Sequence, residues 1–132
     1  MMFSKSTHNI AISVTPFYLD DQSDPGEDHF VWAYTINIEN NSGQPVQLLN
    51  RHWEVTDCNG QVQHVKGAGV VGEQPIIKSG EGFQYTSGTV LTTPSGYMVG
   101  EYQMQHTATK ELFSVGIPAF SLDSPHQMTR PN

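Results

Sequence analysis

The sequence predicts an all-β sandwich of about seven antiparallel strands, and three observations carry the prediction. Charged residues make up 14% of the 132-residue chain, while glycine (12) and proline (8) are plentiful. Helices draw on Glu, Lys, Arg and Ala, so few charges with many turn-formers suit sheet instead. Apolar and polar residues alternate with the two-residue period of a half-buried strand. Turn signals interrupt that alternation every ~8–12 residues, the spacing of short sandwich strands.

Taken in order, Ile10, Ile12 and Val14 alternate with Ala11 and Ser13, and Pro16 is expected to end that strand. The clearest strand is FVWAYTINI, which sets Phe30, Trp32, Tyr34, Ile36 and Ile38 on one face. After the turn cluster NNSGQP at 40–45, VQLLNRHWEVTD reads as a long strand with Leu49, Arg51, Trp53 and Val55 on one face. Asn59-Gly60 is a strong hairpin signal, because both residues tolerate positive φ. A loop of two or four residues there returns QVQHVK beside the strand of Trp53 and sets residues 50–53 alongside 66–69. A turn at Ser79-Gly80 leads into a strand through Phe83 and Tyr85, and TTPSG separates it from YMVGEYQMQH, where Met98, Tyr102 and Met104 share a face. ELFSVGIPAF is the last strand. Residues 1–125 are read as a single domain and 126–132 as a flexible tail. The pattern is that of an immunoglobulin-like or fibronectin type III-like sandwich, with Trp32, Trp53, Tyr34 and Phe30 in its core. Tyr85, Tyr97 and Tyr102 are candidates for an exposed recognition patch.

Charge and cysteine content narrow the function. The formal net charge is −7, from 13 acidic residues against 6 Lys or Arg. A field of that sign opposes phosphate backbones and anionic membranes, so neither is an expected partner. One cysteine, Cys58, permits no internal disulfide and no Cys-based metal cluster. No apolar run has signal-peptide length or the ~18 residues needed to span a bilayer, which gives a cytoplasmic expectation.

Residues 66–75, KGAGVVGEQP, spell G-x-G-x-x-G through Gly67, Gly69 and Gly72. A dinucleotide fingerprint needs a helix after its glycines, whose N-terminal amides hold the pyrophosphate. Here EQPIIKSGEG follows, with Pro75 and Gly80 against any helix, and no G-K-[ST] makes a P-loop. A more local anion site is the remaining candidate: Gly67, Gly69 and Gly72 beside Arg51, His52 and Lys66, where glycine amides meet cationic side chains. The conformational reading, glycines that permit positive φ and a close crossing, is favoured over it.

DDQSDPGEDH at 20–29 offers oxygen ligands for a hard divalent ion, but not at EF-hand spacing, and reads as a solvated loop. His52 and His64 are expected on opposite arms of one hairpin. Two imidazoles without a third placed ligand make a weak site, so no metal residue and no cofactor is assigned. Neither a nucleophile elbow nor a base beside Cys58 can be argued, and no catalytic residue is assigned.

Several stretches then match one family in order: VTPFYLDDQSDPGEDHFVWAYTINIEN, LLNRHWEVTDCNGQVQHVKGAGVVGEQP, GFQYTSGTVLTTPSGYMVGEYQM and the closing IPAF. Together they resemble the ApaG family, also called CorD in bacteria, over roughly residues 10–122. The resemblance implies a fibronectin-type sandwich. It implies no reaction. In bacteria the family is a small stand-alone protein linked by name to cobalt and magnesium tolerance. In eukaryotes similar domains belong to an F-box substrate adaptor and to a protein that interacts with DNA polymerase delta. Those contexts point to a module that binds an unidentified protein partner through its surface or an edge strand, with a homodimer through the same edges as a further expectation. The alternative is a small-anion (phosphate or pyrophosphate) or divalent-metal binding protein acting on phosphorylated compounds.

Overall fold

The structure is a computed structural model and describes residues 1–126. The expected tail at 126–132 lies, apart from His126, outside the described residues. Among the described residues nine strands fold into two antiparallel sheets. One has the order β1 (Phe3–Thr7), β2 (Ile10–Tyr18), β3 (Phe30–Asn40), β7 (Gly82–Leu91). The other has the order β5 (Val62–Ala68), β4 (Val46–Asp57), β8 (Ser95–His106), β9 (Leu112–Asp123), and the two-residue β6 (Ile76–Ile77) also pairs with β4. All described pairs are antiparallel.

Strands expected from alternation are all present; β1 and β6 are additions. FSKST in β1 has no apolar alternation to announce it, and it is held by ladder bonds to β2 across a tight turn in which His8 and Asn9 both take positive φ. Pro16 does not end β2, which runs on to Tyr18. β1 covers β2 only as far as Val14, so Pro16 stands on a free edge, where a missing N–H leaves no ladder bond unmade.

The core forms between the sheets. Every alternate residue of β3 from Phe30 to Ile38 is buried, as its pattern predicts. Trp53 crosses from the other sheet to meet Tyr34, with ring centroids 5.4 Å apart, and packs edge-on against Phe120 at 5.9 Å. On β4 the inward positions are Val46 and Leu48, then Arg51, Trp53 and Val55. A bulge between Leu48 and Asn50 inserts one residue and reverses the parity. Leu49 therefore does not share the face of Trp53, as uninterrupted alternation would require. Of the three tyrosines that were candidates for a recognition patch, only Tyr97 is exposed; Tyr85 and Tyr102 are buried and share a hydroxyl–hydroxyl hydrogen bond. A phenol on an inward strand position is accommodated when its O–H finds a partner.

Candidate functional site

The β4–β5 hairpin positions the candidate residues, and its turn sets the register. Gly60 N–H donates to the Asp57 carbonyl at 3.1 Å, and Asp57 N–H donates to the Gln61 carbonyl at 3.0 Å. The loop is thus the three residues Cys58–Gly60, with Gly60 at φ 83° and Asn59 outside the positive-φ set. The expected two- or four-residue loop is corrected by that bulged geometry. The difference is one residue, and a one-residue slip turns every side chain to the other face. Arg51 pairs with Gly67, His52 with Lys66 and Trp53 with Val65.

Ladder phase follows from the same bonds. Asp57 N–H donates to the Gln61 carbonyl at one end, and Gly69 N–H donates to the Leu49 carbonyl at 2.7 Å at the other. Antiparallel pairs alternate, so Gln63, Val65 and Gly67 bond to β4, while Val62, His64 and Lys66 direct their N–H and C=O groups away from it. The amides of Gly67 and Gly69 therefore point at β4, not at solvent.

Each glycine of the G-x-G-x-x-G stretch has a local cause. A Cβ on Gly67 would sit 2.9 Å from the Arg51 guanidinium carbon. One on Gly69 would sit 2.0 Å from the Glu73 carbonyl oxygen, where the chain crosses itself. Val70 and Glu73 exchange backbone bonds of 2.8 and 2.9 Å around Val71 and Gly72, both at positive φ (44° and 81°), which makes a two-residue hairpin turn. A turn follows the glycines where a dinucleotide site needs a helix.

Of the residues expected to gather around an anion, Arg51, His52, Lys66 and Gly67 line one groove of about 570 Å³, whereas Gly72 borders a separate inner cavity that Arg51 also reaches. Arg51 points inward: its Nη1 donates to the carbonyls of Ala68 (3.1 Å) and Gly69 (2.8 Å), and it lines a cavity of about 280 Å³ between the sheets. Tyr34, Tyr85 and Ser87 line the same cavity, and Val70–Gly72 borders it. Among the described residues no carboxylate oxygen lies within 4.0 Å of this half-buried guanidinium. Burial raises the pKa of Tyr34, Tyr85 and Tyr102, and the Arg51 charge works against that burial at each.

His52 and Lys66 point outward instead. With Arg51 and Gly67 they border that groove, which Glu101, Gln103 and Ser114 line from the neighbouring strands. Glu101 sets an acidic group opposite His52 there, so the groove is not a cationic field. His52 Nε2 and His64 Nδ1 are 3.0 Å apart, and Glu54 Oε1 is 3.9 Å from His64 Nδ1. Glu54 was missed in the sequence; its signal is the i, i+2 spacing from His52 on one strand face. In the 20–29 stretch the residues Asp20, Asp21, Asp24, Glu27, Asp28 and His29 are all exposed around two single-turn 3₁₀ segments. Cys58 is an exposed thiol in the hairpin turn. Among the described residues no helix is long and apolar enough to cross a membrane.

A family model described as the ApaG domain matches residues 20–106. The chain belongs to the ApaG family. Protein ApaG of Paramagnetospirillum magneticum is 56% identical over 131 residues, covering 99% of this chain and 100% of that protein. Protein ApaG of Rhodospirillum centenum is 59% identical over 131 residues with the same coverage. In the crystal structure of an ApaA protein from Bordetella pertussis the fold recurs with a TM-score of 0.86 at 43% identity, over 92% of this chain and 98% of that one. The β-sandwich expected for an ApaG-family chain is thus present both in its own strands and in its structural relative.

Proposed function

We propose that this ApaG-family chain is a non-enzymatic binding module that adds an extended segment of a partner protein as a strand along the free edge of β5. The observation that carries the reading is the ladder phase, which leaves the outward N–H and C=O groups of Val62, His64 and Lys66 with no strand to pair with among the described residues. Such a row gives affinity through main-chain bonds and specificity through side-chain pockets beside it. Val62 and Val90, 52% and 46% exposed, flank a depression of about 230 Å³ between the β5 and β7 edges that suits an apolar side chain of the added strand. A net charge of −7 favours a protein partner over nucleic acid or an anionic membrane. A cytoplasmic setting goes with this reading. On this reading the cobalt and magnesium tolerance linked to the family by name is exerted through the partner.

The test is affinity capture from a cytoplasmic extract with the wild type and with Lys66→Pro, which removes an outward N–H and no bond to β4. Proteins captured by the wild type and lost with the proline variant support the reading; identical sets from the two baits contradict it. Sedimentation of the wild type asks whether a second copy occupies the same edge as a homodimer.

A second reading is favoured by Arg51. A half-buried guanidinium without a carboxylate partner among the described residues, beside the hydroxyls of Tyr34, Tyr85 and Ser87, suits a small anion such as phosphate. Phosphate titration followed by amide resonances tests it: shifts centred on Gly69–Gly72 and Ser87 support it, and scattered shifts contradict it.

A further inference from the structure

We propose that His52, Glu54 and His64 form a binding site for a first-row divalent transition metal, Zn²⁺ being the type case, on the outer face of the β4–β5 hairpin. The inference stands apart from partner recognition and rests on different atoms. Two-residue periodicity puts His52 and Glu54 side by side on one face of β4, and register puts His64 directly across from Glu54. One ligand atom from each of the three lies within 4.8 Å of the others. The imidazole nitrogens, His52 Nε2 and His64 Nδ1, are 3.0 Å apart. Two nitrogens bound at ~2.0–2.1 Å to a tetrahedral ion stand roughly 3.3 Å apart, so the rings need only small movements to share one. Without metal that pair is joined by one hydrogen bond, in which one nitrogen carries the proton. A metal takes the place of that proton and uses both lone pairs. Glu54 Oε1, 3.9 Å from His64 Nδ1, closes by rotation of an exposed side chain.

Ligand chemistry selects the ion. Two imidazoles and one carboxylate are a borderline donor set that favours Zn²⁺, Ni²⁺ or Cu²⁺. Mg²⁺ and Ca²⁺ want six or more oxygens and are not served by it. The fourth position faces solvent, in a depression that Glu101 shares with His52 and Glu54. Water fills it, or Glu101 does. Two of the three ligands lie on β4 and the third on the edge strand β5, so a bound ion would tie that edge to the sheet.

The test is calorimetric titration of the full chain with Zn²⁺ alone, with imidazole resonances recorded in parallel. The expected result is one equivalent bound with a Kd below about 100 μM, with the shifts confined to His52 and His64 among the histidines. His64→Gln and Glu54→Gln are each expected to weaken binding about tenfold or more, whereas His29→Gln leaves it unchanged. All three positions are on the surface, and melting curves recorded without metal identify any variant that has lost its fold. Zn²⁺ binding no tighter than that limit, or wild-type binding retained in both ligand variants, overturns the proposal.

Discussion

The guanidinium of Arg51 lies over the bare backbone of Gly67, with both Nη atoms 2.9 Å from the point a Cβ would occupy. That contact explains why a strand residue in register with Arg51 is glycine, and it separates the three glycines of the loop by cause. Gly67 makes room for a side chain, Gly69 for a crossing carbonyl, and Gly72 for a turn.

Different causes predict different costs. Gly69→Ala drives a Cβ into the Glu73 carbonyl at a residue with φ 63°, and should destabilise by more than ~2 kcal/mol. Gly72→Ala meets open space and only the positive-φ penalty, about 1–2 kcal/mol. Gly67→Ala displaces the flexible end of Arg51 and loses its carbonyl bonds, about 1 kcal/mol. Urea unfolding checks the order, and Gly69→Ala as mild as the other two would contradict the crossing.

The buried hydroxyl pair makes a second prediction. Tyr85→Phe leaves the Tyr102 O–H without its partner in the core, at a cost of about 1–3 kcal/mol. Changing both to Phe removes both polar groups, so the double variant should be less destabilised than the two single losses summed. A double-mutant cycle by urea melts measures the coupling. Strict additivity would mean that the hydroxyls do not depend on one another.

Alkaline stability follows from the same burial. Tyr34, Tyr85 and Tyr102 have folded pKa values raised above the ordinary 10.0, chiefly by burial. Above pH 10 the unfolded chain loses these protons while the folded chain keeps them, so the unfolded state binds fewer protons. Stability is therefore full below that pH and falls as pH rises through it, by at most ~1.4 kcal/mol per pH unit for each tyrosine. Urea melts between pH 8 and 11 check the slope. Tyr85→Phe/Tyr102→Phe should flatten it.

How much of this was legible depended on whether the physics was local. FVWAYTINI declares its buried face by period alone, and every inward residue from Phe30 to Ile38 is buried. The site was less legible because two single-residue insertions set its faces. The bulge at Leu49 changes which β4 residues face in, and the three-residue turn at Cys58–Gly60 moves β5 by one position. The turn sets Lys66 across from His52, where a two- or four-residue loop would have set it across from Trp53. Glu54 joined the histidines only once register was known. Tyr85 and Tyr102 stayed candidates for a surface patch because their mutual hydrogen bond spans two sheets, and no sequence window contains both.

The free edge of β5 is tested most directly by hydrogen exchange at its backbone amides, first alone and then with a captured partner. In the free protein the amides of Gln63, Val65 and Gly67 should exchange slowly and those of Val62, His64 and Lys66 fast, in strict alternation. A partner strand added to this edge should slow the fast set and leave the slow set as it was. Bound partner with Val62, His64 and Lys66 still exchanging fast, and new protection elsewhere in the sandwich, would contradict recognition at β5.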